Sequence, residues 1–172
     1  LNEHGFSYIT FKGIALTSCV FDSDYYMRAF NDLDLIARPD ACDEMYEFLQ
    51  GEGYSIWMNR DKYDVELFKK LIHHYPALSK DGEKTYHAVE VHHRITHQYC
   101  SYEFDIEAMI ERAQNVEIKG VSVPVPSTED HLILLCYNLY KSEAQAPCYS
   151  IKSLYDILAF VGKMNIDWNK VI

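Results

Sequence analysis

Asn31-Asp32-Leu33-Asp34-Leu35-Ile36-Ala37 alternates polar and apolar residues and then ends in an apolar run. The alternation is that of a β-strand, in which residues i and i+2 point to the same face, so Asp32 and Asp34 project side by side. Two carboxylates held that way repel each other and lose hydration, a cost that a cation between them removes. Pairs of divalent ions roughly 3.5–4 Å apart, bridged by such carboxylates, are the recurring device for in-line phosphoryl displacement. Alone, an Asp-x-Asp pair equally fits an exposed strand end or a turn, so its surroundings decide.

Upstream, Ser7 to Phe11 is β-prone and is closed by Lys12-Gly13, after which Ile14, Leu16 and Val20 mark a helix broken by Asp22-Ser23-Asp24. A strand-to-helix turn of this kind presents free backbone N–H groups and a helix dipole that favour phosphate. Gly13 would allow close approach and Lys12 would add a point charge; an ordinary glycine turn with a solvated lysine is the plain alternative. Arg28, four residues before Asp32, reaches either a triphosphate or the aspartates, or closes a structural ion pair.

Downstream, Val89-Glu90-Val91-His92 repeats the pattern of polar side chains in an apolar strand. Glu90 and His92 share one face, and a third carboxylate from a neighbouring strand would complete a metal site and could serve as general base. Glu90 suits a hard cation better than an imidazole does, which puts His92 at the cleft edge, in reach of a metal-holding side chain or of substrate. Arg94 falls on the same face, as it would in a strand with one solvated side. His87, His92, His93 and His97 do not make a zinc site, because alternation sends His92 and His93 to opposite faces; satisfied or exposed histidines are expected instead. Lys141 and Asp156 lie on the late helices and either face the cleft or, the stronger reading, are surface charge on amphipathic helices.

Between these motifs, Pro39-Asp40 opens a helix with Met45, Phe48 and Leu49, stopped by Gly51 and Gly53, and residues 54–58 form a strand. Residues 59–70 fit helix and strand equally. Leu71 to Leu78 and Thr85 to Ile95 read as strands joined by a turn over 79–84, Asp105 to Gln114 as a helix, and Val116 to Val125 as a hairpin about Lys119-Gly120. Ser127 caps a helix running to about Lys141, and Ser150 to Lys163 forms a second, amphipathic through Ile151, Leu154, Ile157, Leu158 and Val161. Strands mixed with helices followed by helices only predict an α+β domain with a helical tail. Both late helices carry apolar stripes, so further helices beyond Ile172 are expected to cover them.

Composition narrows the partners. With 16 basic against 26 acidic residues, the net charge of −10 repels phosphate backbones and disfavours a broad duplex-binding face, while a nucleotide held by a few local cations and a metal remains compatible. A 48 % apolar share supports a real core. The five cysteines are odd in number, scattered and without a CxxC pair, which fits reduced thiols in a cytoplasmic protein. No secretion-signal pattern opens the chain, and the longest apolar run, Leu132 to Cys136, is too short for a membrane span.

Phe11-Lys12-Gly13, Arg28, Asn31-Asp32-Leu33-Asp34-Leu35 and Val89-Glu90-Val91-His92, with Pro124-Val125-Pro126, Asp130-His131-Leu132, Leu154-Tyr155-Asp156-Ile157 and Ile166-Asp167-Trp168, resemble in order and spacing a family of uncharacterised bacterial nucleotidyltransferases, a branch of the DNA polymerase β-like superfamily. The resemblance spans nearly the whole chain. It implies a nucleotidyltransferase fold, a small mixed β-sheet flanked by helices with a C-terminal helical segment, with a catalytic domain at 1–126 and a helical segment at 127–172. It also implies Mg²⁺ (or Mn²⁺) held by Asp32, Asp34 and Glu90, and an NTP donor bound near Gly13 with Lys12, Arg28 and His92 at hand. The wider superfamily carries Gly-Ser or Gly-Gly at the first turn; here Lys-Gly stands there, so the phosphate-touching serine hydroxyl is absent and Lys12 substitutes. The implied reaction moves a nucleoside monophosphate to an acceptor, a small molecule or protein rather than duplex nucleic acid. A nucleotide-binding or regulatory module that has lost turnover is the alternative.

Overall fold

The computed structural model describes residues 1–22, 24, 27–57, 64–80, 88–98, 100–145 and 150–171. Strands β1 (Tyr8–Phe11), β2 (Asp32–Ala37), β3 (Ser55–Ile56), β4 (Leu78–Ser79) and β5 (Ala88–His92) form one sheet. Its order is β1-β2-β5-β4-β3. The β2–β5 pair is parallel and the other neighbours are antiparallel, so this is the expected mixed sheet. Strands β6 (Gln114–Ile118) and β7 (Val121–Val125) make a separate hairpin. Its turn, Lys119-Gly120, has positive φ at both residues, 49° and 81°, the backbone twist a two-residue hairpin needs and the reason a glycine stands there.

Helices α1 (Gly13–Val20), α2 (Cys42–Gly51), α3 (Val65–Leu71), α4 (Ile106–Glu111), α5 (Thr128–Gln145) and α6 (Ser150–Lys163) flank the sheet. One sheet face carries Leu35, Val89 and Val91 and packs on Met45, Tyr46 and Leu49 of α2. On the other face Ile9, Phe11 and Ile36 meet Ile106 and Met109 of α4 and Leu134 of α5. A third cluster joins α1, α5 and α6 through Leu16, Val20, Leu132, Leu135 and the fully buried Phe160. Ser127 caps α5 as read from the sequence, accepting from the Asp130 N–H at 3.2 Å. Among the described residues no helix is long and apolar enough to cross a membrane.

Three sequence readings change. Leu71 to Leu78 is not a strand: α3 ends at Leu71, His74 makes a single bridge to His92, and only Leu78–Ser79 joins the sheet. Asp64 caps α3 by accepting from the Leu67 N–H, and Glu66 early with Lys69 and Lys70 late complement the helix dipole. A short apolar run cannot by itself separate strand from helix. The helix expected over 105–114 stops at Glu111, because Gln114 already pairs with Val125. The turn expected over 79–84 and the histidine at 87 lie largely or wholly outside the described residues.

The third change is in α6. Its buried face is Ser153, Asp156 and Phe160, while Ile151, Leu154, Tyr155, Leu158 and Val161 are exposed. Of the stripe read from the sequence, Ile157 packs against the third cluster and the other four residues point outward.

Candidate active site

The β2–β5 register sets Asp34 beside Glu90, Asp32 beside Ala88 and Ile36 beside His92. Since Leu33, Leu35, Val89 and Val91 pack toward α2, alternation turns Asp32, Asp34, Glu90 and His92 to the opposite face. Single ligand atoms of Asp34, Glu90 and His92 lie within 4.8 Å of one another, the one such group of three among the described residues. Asp32 stands beside this group, close enough for Asp34 and Glu90 to act on its charge.

Asp34 is 1 % exposed and is compensated on one oxygen only. Its Oδ1 accepts from Lys12 Nζ at 2.8 Å and lies 2.9 Å from His92 Nε2, which must carry the hydrogen because a carboxylate only accepts. Its Oδ2 is buried and without a partner. Burial works to raise the Asp34 carboxyl, but Lys12 and His92 outweigh it and hold the group well below the usual carboxylate range. Asp32 goes the other way, pushed up by burial and then by the charges of Asp34 and Glu90. Glu90 Oε2 lies 3.6 Å from His92 Nε2 and 3.9 Å from His74 Nε2. Burial opposes its ionisation, yet the neighbouring His92 keeps it below its ordinary value.

His92 is thus not at the cleft edge but 1 % exposed beneath the carboxylates. Its register opposite Ile36 places it under Phe11, whose ring it meets edge-on at 5.2 Å. Lys12 takes φ 55°, a conformation non-glycine residues seldom adopt and one that often marks functional sites. Gly13 follows as the first residue of α1. A Cβ there would meet the Phe30 ring at 3.1 Å, so any larger residue would have to displace that ring by a few tenths of an ångström. Arg28 takes the ion-pair option. Its Nε and Nη2 each donate to Asp156 at 2.9 Å, both side chains being buried, and Nη1 is left without a partner.

Two groups not expected at the site are there. His73, His74, His92 and His97 pack ring against ring, with centroids 4.7–5.3 Å apart. Burial depresses His73 and His74 below the ordinary histidine value, so they are neutral rings rather than cations. Lys141, read more strongly as surface charge than as a cleft residue, points inward over the same face, 3.4 Å from His73 Nε2. Its signal in the sequence was positional: Leu134, Tyr137, Asn138 and Lys141 recur at helical spacing and line one small cavity with Lys12 and His92.

A lone buried carboxylate oxygen on Asp34, with Asp32 and Glu90 in charge range and Lys12 at the strand-to-helix turn, makes this face the candidate site. The whole chain, residues 1–172, matches the family described as uncharacterised nucleotidyltransferase, and it belongs to that family. A comparison with curated proteins gives no match. Among solved structures, the chain is similar to the lincosamide antibiotic adenylyltransferase LnuA with lincomycin bound, at 14 % identity and a TM-score of 0.55, over 95 % of this chain and 90 % of that one. It is similar to the antibiotic-resistance factor ANT(2'')-Ia at 13 % and 0.58, over 99 % and 80 %. An antigenic nucleotidyltransferase-like protein from Paracoccidioides brasiliensis gives 18 % and 0.55, over 94 % and 70 %. At such identities the likeness shows a shared fold.

Proposed function

We propose that this nucleotidyltransferase moves a nucleoside monophosphate from an NTP to a hydroxyl-bearing acceptor, releases pyrophosphate, and depends on Mg²⁺ or Mn²⁺. The observation that carries the reading is Asp34 Oδ2, a buried, unpartnered anionic oxygen within charge range of Asp32 and Glu90. Burying such an atom is costly unless a cation satisfies it. Asp32, Asp34 and Glu90 would hold the ion, and their oxygen ligands fit a hard cation. When bound, the ion would offset charge on the polyphosphate and ease ionisation of the acceptor hydroxyl.

The chain's own residues do the rest. Lys12 and His92 grip Asp34 Oδ1 and so fix the direction in which Oδ2 faces. Glu90, whose Oε2 lies 3.6 Å from His92 Nε2, would accept the acceptor's proton as general base. Retention of three carboxylates in mutual range speaks against a binding module, which has no use for their repulsion. The net charge of −10 favours a small molecule or protein as acceptor over duplex nucleic acid, in keeping with the antibiotic named for LnuA.

Incubation with each NTP labelled at the α or γ phosphate, with Mg²⁺ or Mn²⁺ and a panel of hydroxylated small molecules, tests this. Transfer of α label with release of pyrophosphate is expected. Release of a nucleoside diphosphate would instead show γ-phosphoryl transfer, and NTP binding without any transfer would support the binding module.

A further inference from the structure

We propose that Lys141 is a polyphosphate-binding residue, which carries donor recognition from the strand-to-helix turn onto helix α5. This rests on the nucleotidyl-transfer reading and adds to it a group from outside the strand motifs.

Three of the buried or half-buried cations elsewhere among the described residues have anionic partners, while Arg94 donates to the Lys69 carbonyl and keeps a buried, unpartnered Nε. Lys12 has Asp34, Arg28 has Asp156 and Lys69 has Asp43, at 2.7–2.9 Å. Lys141 does not. Among the described residues no carboxylate lies within ion-pair distance of it, and its polar neighbour is His73 Nε2. His73 is buried, its Nδ1 is unpartnered, and burial keeps the ring neutral. It can accept a hydrogen bond but cannot neutralise an ammonium. A desolvated ammonium without a counter-charge is unfavourable, and burial lowers the Lys141 pKa to about 8, with Lys12 the nearest repelling charge.

The position of the missing anion follows from what surrounds Lys141. It lines a cavity with Phe11, Lys12, His73, His92 and Tyr137. Lys141 thus shares one cavity with Lys12, which is itself bonded to Asp34 at 2.8 Å, at the edge of the carboxylates. Two ammonium groups on one edge of an acidic cluster stabilise an anion that touches both while its far end reaches a cation on the acids. A polyphosphate chain has that length and charge distribution; a nucleoside does not. Leu134, 4 % exposed and two turns earlier on α5, anchors the helix in the core and holds Lys141 in place.

Equilibrium binding of NTP, nucleoside and inorganic tripolyphosphate to the whole chain, unaltered and as Lys141→Met, tests the assignment, with Lys170→Met, an exposed lysine paired with Asp167, as control. Loss of one charge-assisted contact should weaken NTP and tripolyphosphate by about 10-fold or more and leave the nucleoside unchanged. Equal loss for NTP and nucleoside, or no loss for NTP, overturns the assignment while the nucleotidyl reading stands. Failure of the unaltered protein to bind any NTP would remove that reading and this one together. A second measurement needs no variant: saturating tripolyphosphate should protect Lys141 from acetylation, read by mass spectrometry, and undiminished labelling would overturn the proposal.

Discussion

On the β2–β5 face, charge is buried next to charge: Asp34 is held by Lys12 and by the His92 N–H, with Asp32 and Glu90 close enough to act on one another. On α6 a single buried carboxylate, Asp156, determines how a whole helix sits, because its partner Arg28 is itself buried. Helical spacing places Ile151, Leu154, Leu158 and Val161 on the side opposite Asp156. Satisfying Arg28 therefore forces that apolar stripe outward. In the strands, pairing makes burial of charge affordable. In the helix, pairing overrides the hydrophobic pattern.

The strand face should respond most in activity. Asp32→Asn and Asp34→Asn are each expected to reduce transfer by at least ~10³-fold. Their stabilities should diverge. Asp32 is already disfavoured as an anion by burial and by its neighbours, so Asp32→Asn should leave the metal-free protein as stable or more so. Asp34→Asn takes the counter-charge from Lys12 and His92 and should cost about 1–3 kcal/mol. Chemical denaturation of both variants without metal measures this; equal stabilities would break the distinction between the two aspartates.

The helix pairing should respond in stability alone. Arg28→Met or Asp156→Leu leaves a buried charge unpaired and should cost about 3–5 kcal/mol. The double variant should cost less than either single change, since both charges leave together. Additive losses would mean that the pair does not orient α6.

A smaller term of the same layer is pH-dependent. His131 is 1 % exposed against Phe160, and burial followed by Arg28 lowers its pKa from 6.5 to about 4. The folded state thus prefers the neutral ring, which costs nothing above pH 6.5. As pH falls from 6.5 toward about 4, the unfolded chain takes up a proton that the folded state refuses. Stability should fall there by on the order of 3 kcal/mol and level off below. In His131→Phe this part of the slope should be missing from denaturation midpoints taken across the range.

The strand face was legible because a period of two is unambiguous: Asp32, Asp34, Glu90 and His92 had to share a side once Leu33, Leu35, Val89 and Val91 were taken as core. Which atoms then paired was not legible, since Lys12–Asp34 and His92–Asp34 depend on inter-strand register. His73 and His74 were hidden in a segment read as an ordinary strand. Asp156 looked like the polar side of an amphipathic helix, and only Arg28, 128 residues away in sequence, makes it the inner side. Lys141 read more strongly as surface charge than as a cleft residue because α5 is apolar on more than one face, which leaves its inward side undefined.

The smallest expected effect is the most direct test of how α6 is turned. Leu158 is 64 % exposed and Phe160 is 0 % exposed, two residues apart on one helix. With the observed orientation, Leu158→Gln removes little buried surface and should change stability by less than about 0.5 kcal/mol. Phe160→Ala, the internal reference, should cost about 3–5 kcal/mol by emptying the cluster with Leu16 and Leu135. Helix propensity barely distinguishes leucine from glutamine, so the Leu158 result reports burial alone. If Leu158→Gln costs 2 kcal/mol or more, the outer stripe is covered in solution, by a second copy or by other chain. Repeating the measurement across a range of protein concentrations separates these, because only association between copies makes the loss concentration-dependent.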